Sequence, residues 1–296
     1  MSDKRLRRLA FGLSTLVGRP RGFFSPYRHA PGIRSPAGYP ALEPIFAEAF
    51  ARAPTDGAND PTASPMECPA DVITALDACA DALQGFDGPA PEPRWTQSWY
   101  PRLDGAAAYA ILRLAPPKQV IEVGSGHSTR FVARALRDAG RPARLHCIDP
   151  APRAPLAGLS QGALEVRHDA RLLSSDDLPR FAALEPGDVA FFDSSHLLWP
   201  GSDVDLILNG ILPALQPGVR VHIHDVLLPD PYPAAWEWRG YTEQLGLGGW
   251  LAGGGARILW ASHYAATRAG AASHPSIAAL PLPDGALETA LWLIRT

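Results

Sequence analysis

Cysteine is scarce in this chain, with three residues in 296. Cys68, Cys79 and Cys147 are scattered, odd in number and free of any Cys-x-x-Cys pairing. The sequence therefore indicates neither a disulfide framework nor a thiolate zinc site, and it fits a reducing compartment such as the cytoplasm. An excess of positive charge is also lacking: 27 Lys and Arg stand against 30 Asp and Glu, a formal net charge of −3. With no long basic stripe beyond the first two dozen residues, nucleic acid is not expected as a partner. Nor is there a run of membrane-spanning length. Lys4, Arg5, Arg7 and Arg8 precede LAFGLSTLVG, about ten residues where a spanning helix needs about twenty. No small-residue cleavage site follows, so neither a stable membrane anchor nor export is expected. A basic arm that packs on its own domain or on a partner subunit is the expectation, and a homo-oligomer is compatible with it.

What the chain does have is apolar bulk. A hydrophobic content of 46% over 296 residues permits a sizeable core, one large α/β domain and an extension. Over residues 1–94 prolines and glycines break every run, leaving helical candidates at Ala41–Arg52 and Ala70–Leu83. Gly85–Pro93 (GFDGPAPEP) reads as a linker, which divides the chain into a helical, Pro-rich extension over 1–94 and a domain over 95–296. Trp95, Trp99 and Tyr100 then lead into a helix over Asp104–Ala115, capped by Asp104. These aromatics either line a pocket or fix the extension to the domain.

The stretch Gln119–Gly140, QVIEVGSGHSTRFVARALRDAG, organises the rest. Gln119–Val123 fits a short strand buried on both faces, and Gly124 and Gly126 bring bare backbone to its C-terminal edge. Ser128 or Thr129 can cap a helix whose apolar positions are Phe131, Val132, Ala135 and Leu136, with Gly140 beyond its end. Such a turn lets a ligand approach main-chain N–H groups in the crevice of an open α/β sheet. Two phosphate signatures are missing, because Thr129 stands where a dinucleotide fingerprint has its third glycine and no phosphate-loop Lys-Ser/Thr pair follows. A cofactor without a diphosphate remains. The next strand, Arg144–Ile148, ends in Asp149, where a carboxylate can accept both hydroxyls of a ribose. Strands at Leu164–His168, Asp188–Phe192, Val219–His224, Ala256–Ala261 and Ala290–Arg295 alternate with helices at Ser175–Leu184, Asp203–Leu215 and Ala234–Leu251. This pattern predicts an α/β fold, a doubly wound, Rossmann-like sheet of seven mostly parallel strands.

Glu122-Val-Gly-Ser-Gly126, Asp149 and Asp169 in RHDA resemble, in that order, the cofactor motifs of class I S-adenosylmethionine-dependent methyltransferases. FFDSSH, PGSDVDLILNGILPAL and VHIHDVLLPD resemble more narrowly a bacterial small-molecule subgroup akin to the macrocin-type sugar O-methyltransferases, and the likeness runs over residues 95–296. The resemblance implies an antiparallel seventh strand and S-adenosylmethionine as cofactor. It implies cofactor contacts at Glu122, Gly124, Ser125, Gly126, Ser128, Asp149 and Asp169, and methyl transfer to an oxygen, or a nitrogen, of a small-molecule acceptor.

Residues that end parallel strands converge on one crevice, so Asp193, His224 and Asp225 should share it with the cofactor residues. The resemblance implies divalent-metal ligands at these strand ends. With an imidazole in the set, Asp193, His224 and Asp225 suit Mn²⁺, Fe²⁺ or Zn²⁺ as well as Mg²⁺; the His-Asp pair is alternatively a catalytic dyad or a hydrogen-bonded structural pair. His196, in the loop after Asp193, is the first choice for general base, and the expected catalytic set is His196, His224 and Asp193. His127 and His222 read as structural histidines. Trp236, Trp238, Arg239, Tyr241, Glu243 and Gln244 form either a substrate-facing helix or lid, or an ordinary helix between solvent and core. Two other classes stay open at this level: a metal-dependent oxygenase or hydrolase on the same scaffold, and a non-catalytic partner protein that retains the fold.

Overall fold

In the computed structural model, which describes residues 37–55 and 66–296 together with Leu6, Leu9, Ala10 and Gly12–Ser14, the apolar runs pair into one sheet. The basic N-terminal arm otherwise lies outside the described residues. The strands are β1 (Gln119–Val123), β2 (Ala143–Ile148), β3 (Leu164–Asp169), β4 (Val189–Phe192), β5 (Arg220–Ile223), β6 (Ala256–Ala261) and β7 (Leu291–Arg295). Their order is β3-β2-β1-β4-β5-β7-β6. β7 is antiparallel to both β5 and β6, as the resemblance implies, while the other pairings are parallel.

Period-2 alternation explains why both faces must be covered. Val120, Leu145, Val189 and Phe191 enter one core, with Trp260 and Trp292. Ile121, Val123, Ala190, Phe192, Val221 and Ile223 enter the other. Helices α1 (Glu43–Ala51), α2 (Pro69–Ala78), α3 (Arg102–Leu114), α4 (His127–Ala139) and α5 (Glu243–Ala252) supply much of the cover. Every residue of α3 from Arg102 to Leu112 is buried, because α3 is packed by α2 and α4 as well as lying in the first core. The extension thus contributes to the cores themselves: Val72 and Leu76 of α2 join the first, and Phe46 of α1 joins the second.

Several helical expectations change at their ends. α3 begins at Arg102, so Asp104 is not its cap but lies inside its first turn. α4 begins at His127, and Thr129 Oγ1 reaches back to accept the Gly126 N–H at 2.8 Å, placing Ser128 and Thr129 within the helix. Gly140 ends it in the left-handed conformation, φ 67°, which glycine adopts without a Cβ penalty. The run over Ala234–Leu251 is two pieces, a 3₁₀ turn at Ala234–Arg239 and α5, separated at Gly240 (φ 69°). The aromatics before α3 divide as well. Trp95 and Tyr100 are buried in the first core, whereas Trp99 is exposed and stacks flat on His127, centroids 5.5 Å apart.

Candidate active site at the switch point of the sheet

Strand order reverses between β1 and β4, and the crevice of an open α/β sheet forms at such a point. Gly124 shapes it. At φ 81° a Cβ there would lie 1.7 Å from the Asp193 carbonyl oxygen, so only glycine lets the turn after β1 close against the loop after β4. Backbone bonds continue the ladder into the crevice: Gly124 N–H donates to Ile148 O at 3.1 Å, Asp193 N–H to Val123 O at 2.8 Å, and His224 N–H to Phe192 O at 2.9 Å.

The residues expected to hold the cofactor fall into three environments. Glu122 lies fully buried, accepting from Ser128 Oγ at 2.8 Å and from the Cys147 thiol at 3.5 Å. Burial outweighs its hydrogen bonds from Thr129, Ser128 and Cys147 and pushes it up to about 8. Asp149 is half-buried and clasps the turn, accepting from Ser125 N–H and from Ala151 N–H, each at 2.6 Å. Asp169 is drawn to the basic groups around it: His146 Nε2 at 2.9 Å, Arg167 Nε at 3.0 Å, Arg171 Nη2 at 3.4 Å and Arg180 Nη1 at 3.5 Å. Burial would raise Asp169, but His146 and Arg167 hold it below the usual carboxylate range. Ser125 Oγ and Ser194 Oγ, directly after Gly124 and Asp193, are buried without a hydrogen-bond partner. Buried polar atoms of this kind usually meet a partner, so the closure retains bonding capacity for a polar ligand.

Across the crevice the structure brings Asp193, His196, His224 and Asp225 into one cluster. His196 Nε2 lies 3.3 Å from Asp193 Oδ1 and 3.6 Å from Asp225 Oδ2, and His224 Nδ1 lies 3.5 Å from Asp193 Oδ1 and 3.7 Å from Asp225 Oδ1. His196 (φ 58°) and Asp225 (φ 55°) are the non-glycine residues with left-handed φ among the described residues. Such strain costs about 1–3 kcal/mol per residue and persists where surrounding contacts over-determine it. Burial alone would depress both imidazoles, yet the facing carboxylates prevail: Asp193 and Glu243 raise His196 to about 10, and Asp193 and Asp104 raise His224 well above its ordinary value. Asp193 is correspondingly low, because His224 and His196 overcome its burial.

Three partners in this cluster carried no sequence signal for this role. Glu243 Oε2 meets His196 Nδ1 at 2.9 Å, and Asp104 Oδ2 meets His224 Nε2 at 3.2 Å while also accepting from Thr289 N–H and Ala290 N–H. Arg239 Nη1 reaches Asp225 Oδ2 at 3.1 Å, which places its segment against the cluster. A heptad, a cap or a motif marks none of these pairings, since each joins distant parts of the chain.

The arrangement also bears on the expected metal. Asp193 and Asp225 already face two imidazoles and a guanidinium, and both nitrogens of His224 are directed at carboxylates. Among the described residues no group of three or more His, Cys, Asp or Glu could hold a metal ion. In this arrangement the donor atoms of Asp193, His224 and Asp225 are engaged with one another and with His196, Asp104 and Arg239. The repulsion that a metal would relieve is met by the protein's own cations.

Residues 121–226 match the family described as a methyltransferase domain, a stretch that contains the glycine turn, Asp149, Asp169 and the Asp193–Asp225 cluster. Similar solved structures include cofactor-bound Rv0187 from MTB, 17% identical, covering 63% of this chain and 80% of that one at a TM-score of 0.37. They also include the SAH-bound methyltransferase PaMTH1 of Podospora anserina, 12% identical, covering 93% and 99% at a TM-score of 0.36. A third is the O-methyltransferase from Bacillus cereus in complex with SAH, 17% identical, covering 63% and 74% at 0.29. No curated protein matches the chain. The family match and the strand order β3-β2-β1-β4-β5-β7-β6 thus meet over residues 121–226, the part of the chain that carries the crevice.

Proposed function

We propose that this protein moves the sulfonium methyl of S-adenosylmethionine to an oxygen, or a nitrogen, of a small-molecule acceptor in the cytoplasm, with residues 95–296 as the catalytic domain and 1–94 as its extension. The observation that supports the reading is the closure of the glycine turn on Asp193: the partnerless Ser125 and Ser194 hydroxyls directly follow the two residues that meet, and Asp193 is itself within 3.3 Å of His196 and 3.5 Å of His224. When bound, the cofactor supplies an electrophilic methyl for in-line displacement.

On the cofactor side, the N–H groups of Gly124, Ser125 and Gly126 are spent on Ile148, Asp149 and Thr129, so the glycines keep the turn bare of side chains and Ser125 offers its hydroxyl, while Asp149 stands at the end of β2 where a ribose diol would be received. Glu122 and Ser128 brace the turn from beneath, and Asp169 closes the neighbouring strand end. On the acceptor side, Glu243 accepts the Nδ1–H of His196 and so leaves Nε2 to take the acceptor's proton. Asp193 and Asp225 face that nitrogen and stabilise the imidazolium as it forms, while His224, fixed by Asp104, holds Asp193 in place. The macrocin-type likeness makes sugar hydroxyls the first acceptors to test.

The test is S-adenosylhomocysteine release from S-adenosylmethionine with hydroxyl- and amine-bearing acceptors, before and after exhaustive chelation. Turnover is expected to survive chelation, and His196→Ala to lower kcat by about 10²- to 10⁴-fold, the usual worth of a general base. A metal-assisted reading has one observation behind it, the two carboxylates sharing His224 Nδ1. Turnover lost on chelation and restored by Mg²⁺, Mn²⁺ or Fe²⁺ would establish that reading instead.

A further inference from the structure

Among the described residues from 37 onward, the exposed large apolar side chains are Trp99, Leu172, Trp199, Trp238, Leu245 and Leu282. They are not scattered. Trp99 stacks on His127 in the turn after β1, Leu172 and Trp199 lie in the loops after β3 and β4, and Trp238 and Leu245 follow β5. Leu282 lies in the segment from β6 to β7, and because β7 is antiparallel to β6 both ends of that segment are at the same edge. All six therefore belong to the carboxyl edge of the parallel strands, which holds the crevice. In the strand order β3-β2-β1-β4-β5-β7-β6 they run across the full width of the sheet, roughly 30 Å at about 4.8 Å per strand. Exposed apolar residues are ordinary one at a time, but a set confined to one edge marks a contact surface.

The N-terminal arm adds apolar surface and the charge that the body lacks. Leu6, Leu9 and Leu13 are helical, recur at helical spacing and are each 49% exposed. In the first 36 residues eight Lys and Arg stand against one acidic residue, Asp3, although the whole chain holds 27 against 30. Leucines at helical spacing within such an excess of cations fit the surface of an anionic bilayer, where apolar side chains enter the acyl boundary and cations meet headgroup phosphates. No helix among the described residues is long and apolar enough to cross a membrane, so this contact lies along the surface. Tryptophan, half of the exposed set at the crevice edge, is favoured at the same boundary. A row of side chains on separate loops also suits lipid, which conforms to it, better than a second copy of the chain, whose own edge carries the same protrusions. We propose that the crevice edge is a membrane-docking face: the protein lies reversibly on an anionic lipid surface, with the basic arm supplying charge attraction and the tryptophans and leucines of the edge entering the boundary. This inference goes beyond the methyl-transfer reading and needs neither acceptor nor cofactor for its test.

The test is co-sedimentation of the full chain with vesicles of phosphatidylcholine alone and of phosphatidylcholine mixed with phosphatidylglycerol in equal parts. Binding to the anionic vesicles should be at least about tenfold tighter than to the neutral ones, and should weaken at least about tenfold in about 0.5 M salt, where exposed charges are screened. Leu6→Ser, Leu9→Ser and Leu13→Ser combined should weaken it by about tenfold, and Leu245→Ser with Leu282→Ser by about fivefold. The unaltered protein supplies an independent readout. Residues 1–36 contain no tryptophan, so anionic vesicles with brominated acyl chains should quench tryptophan emission only if the edge itself enters the lipid. Absence of binding to either vesicle, or equal binding to both, overturns the proposal. Anionic binding without quenching overturns it too, because the arm would then be the sole contact. Self-association that Leu245→Ser with Leu282→Ser abolishes, in a protein that does not sediment with vesicles, would assign the edge to a second copy of the chain instead.

Discussion

His196 Nε2 faces Asp193 and Asp225 and Nδ1 faces Glu243, so its protonation links rate and stability in opposite directions. Burial would lower it, but Asp193, Glu243 and Asp225 bring it to about 10. A base must be neutral to act, so kcat/KM should rise with pH along a limb lying well above the ordinary value of about 6.5. Stability moves the other way. The folded state binds this proton more tightly than the unfolded chain, so the stabilisation is complete below about pH 6.5 and is lost as pH climbs through the folded value. Denaturation midpoints measured along that window should therefore fall as the rate rises, and His196→Gln should flatten the fall. Glu243→Gln removes one of the supporting carboxylates, and its rate limb should move to lower pH; an unmoved limb would mean that another group is the base.

The turn after β1 and the loop after β4 have to be considered as one device. Gly124→Ala would put a methyl group into the Asp193 carbonyl at a positive φ, and a loss of about 2 kcal/mol or more is expected in denaturant unfolding. Much of this device was legible beforehand, because strand ends are set by local apolar runs: β1 and β6 fall where the alternation puts them, and Asp149, Asp193 and His224 follow their strands directly. Helices were harder to read. The apolar spacing over Asp203–Leu215 conceals a π-helical stretch at Ile207–Ile211, and that over Ala234–Leu251 conceals the left-handed Gly240. Tertiary contacts decide such breaks, and local period does not record them. For the same reason Asp104 and Thr289 were invisible as site residues and Glu243 was read only within a segment that had two readings, since they reach His224 across 120 and 65 positions and His196 across 47.

At the scale of the whole molecule, residues 37–55 and 66–94 share their cores with residues 95–296. Phe50 packs on Trp260 and Tyr264 at 5.9 and 4.9 Å, and Trp95 donates its indole N–H to Leu83 O at 3.0 Å. Residues 95–296 expressed alone would uncover Trp95, Trp260 and Tyr264, and an insoluble or molten product is expected; a cooperatively folded fragment in calorimetry would show that residues 1–94 are dispensable. This packing supports the crevice in which the cofactor is proposed to bind. Calorimetric titration of the full chain with S-adenosylmethionine tests that binding most directly. One cofactor should bind per chain, in preference to NAD, and Asp149→Ala should weaken it by about 1.5–3 kcal/mol, the worth of hydrogen bonds to a charged group. No binding by the unaltered chain, or equal affinity in Asp149→Ala, would contradict the assignment.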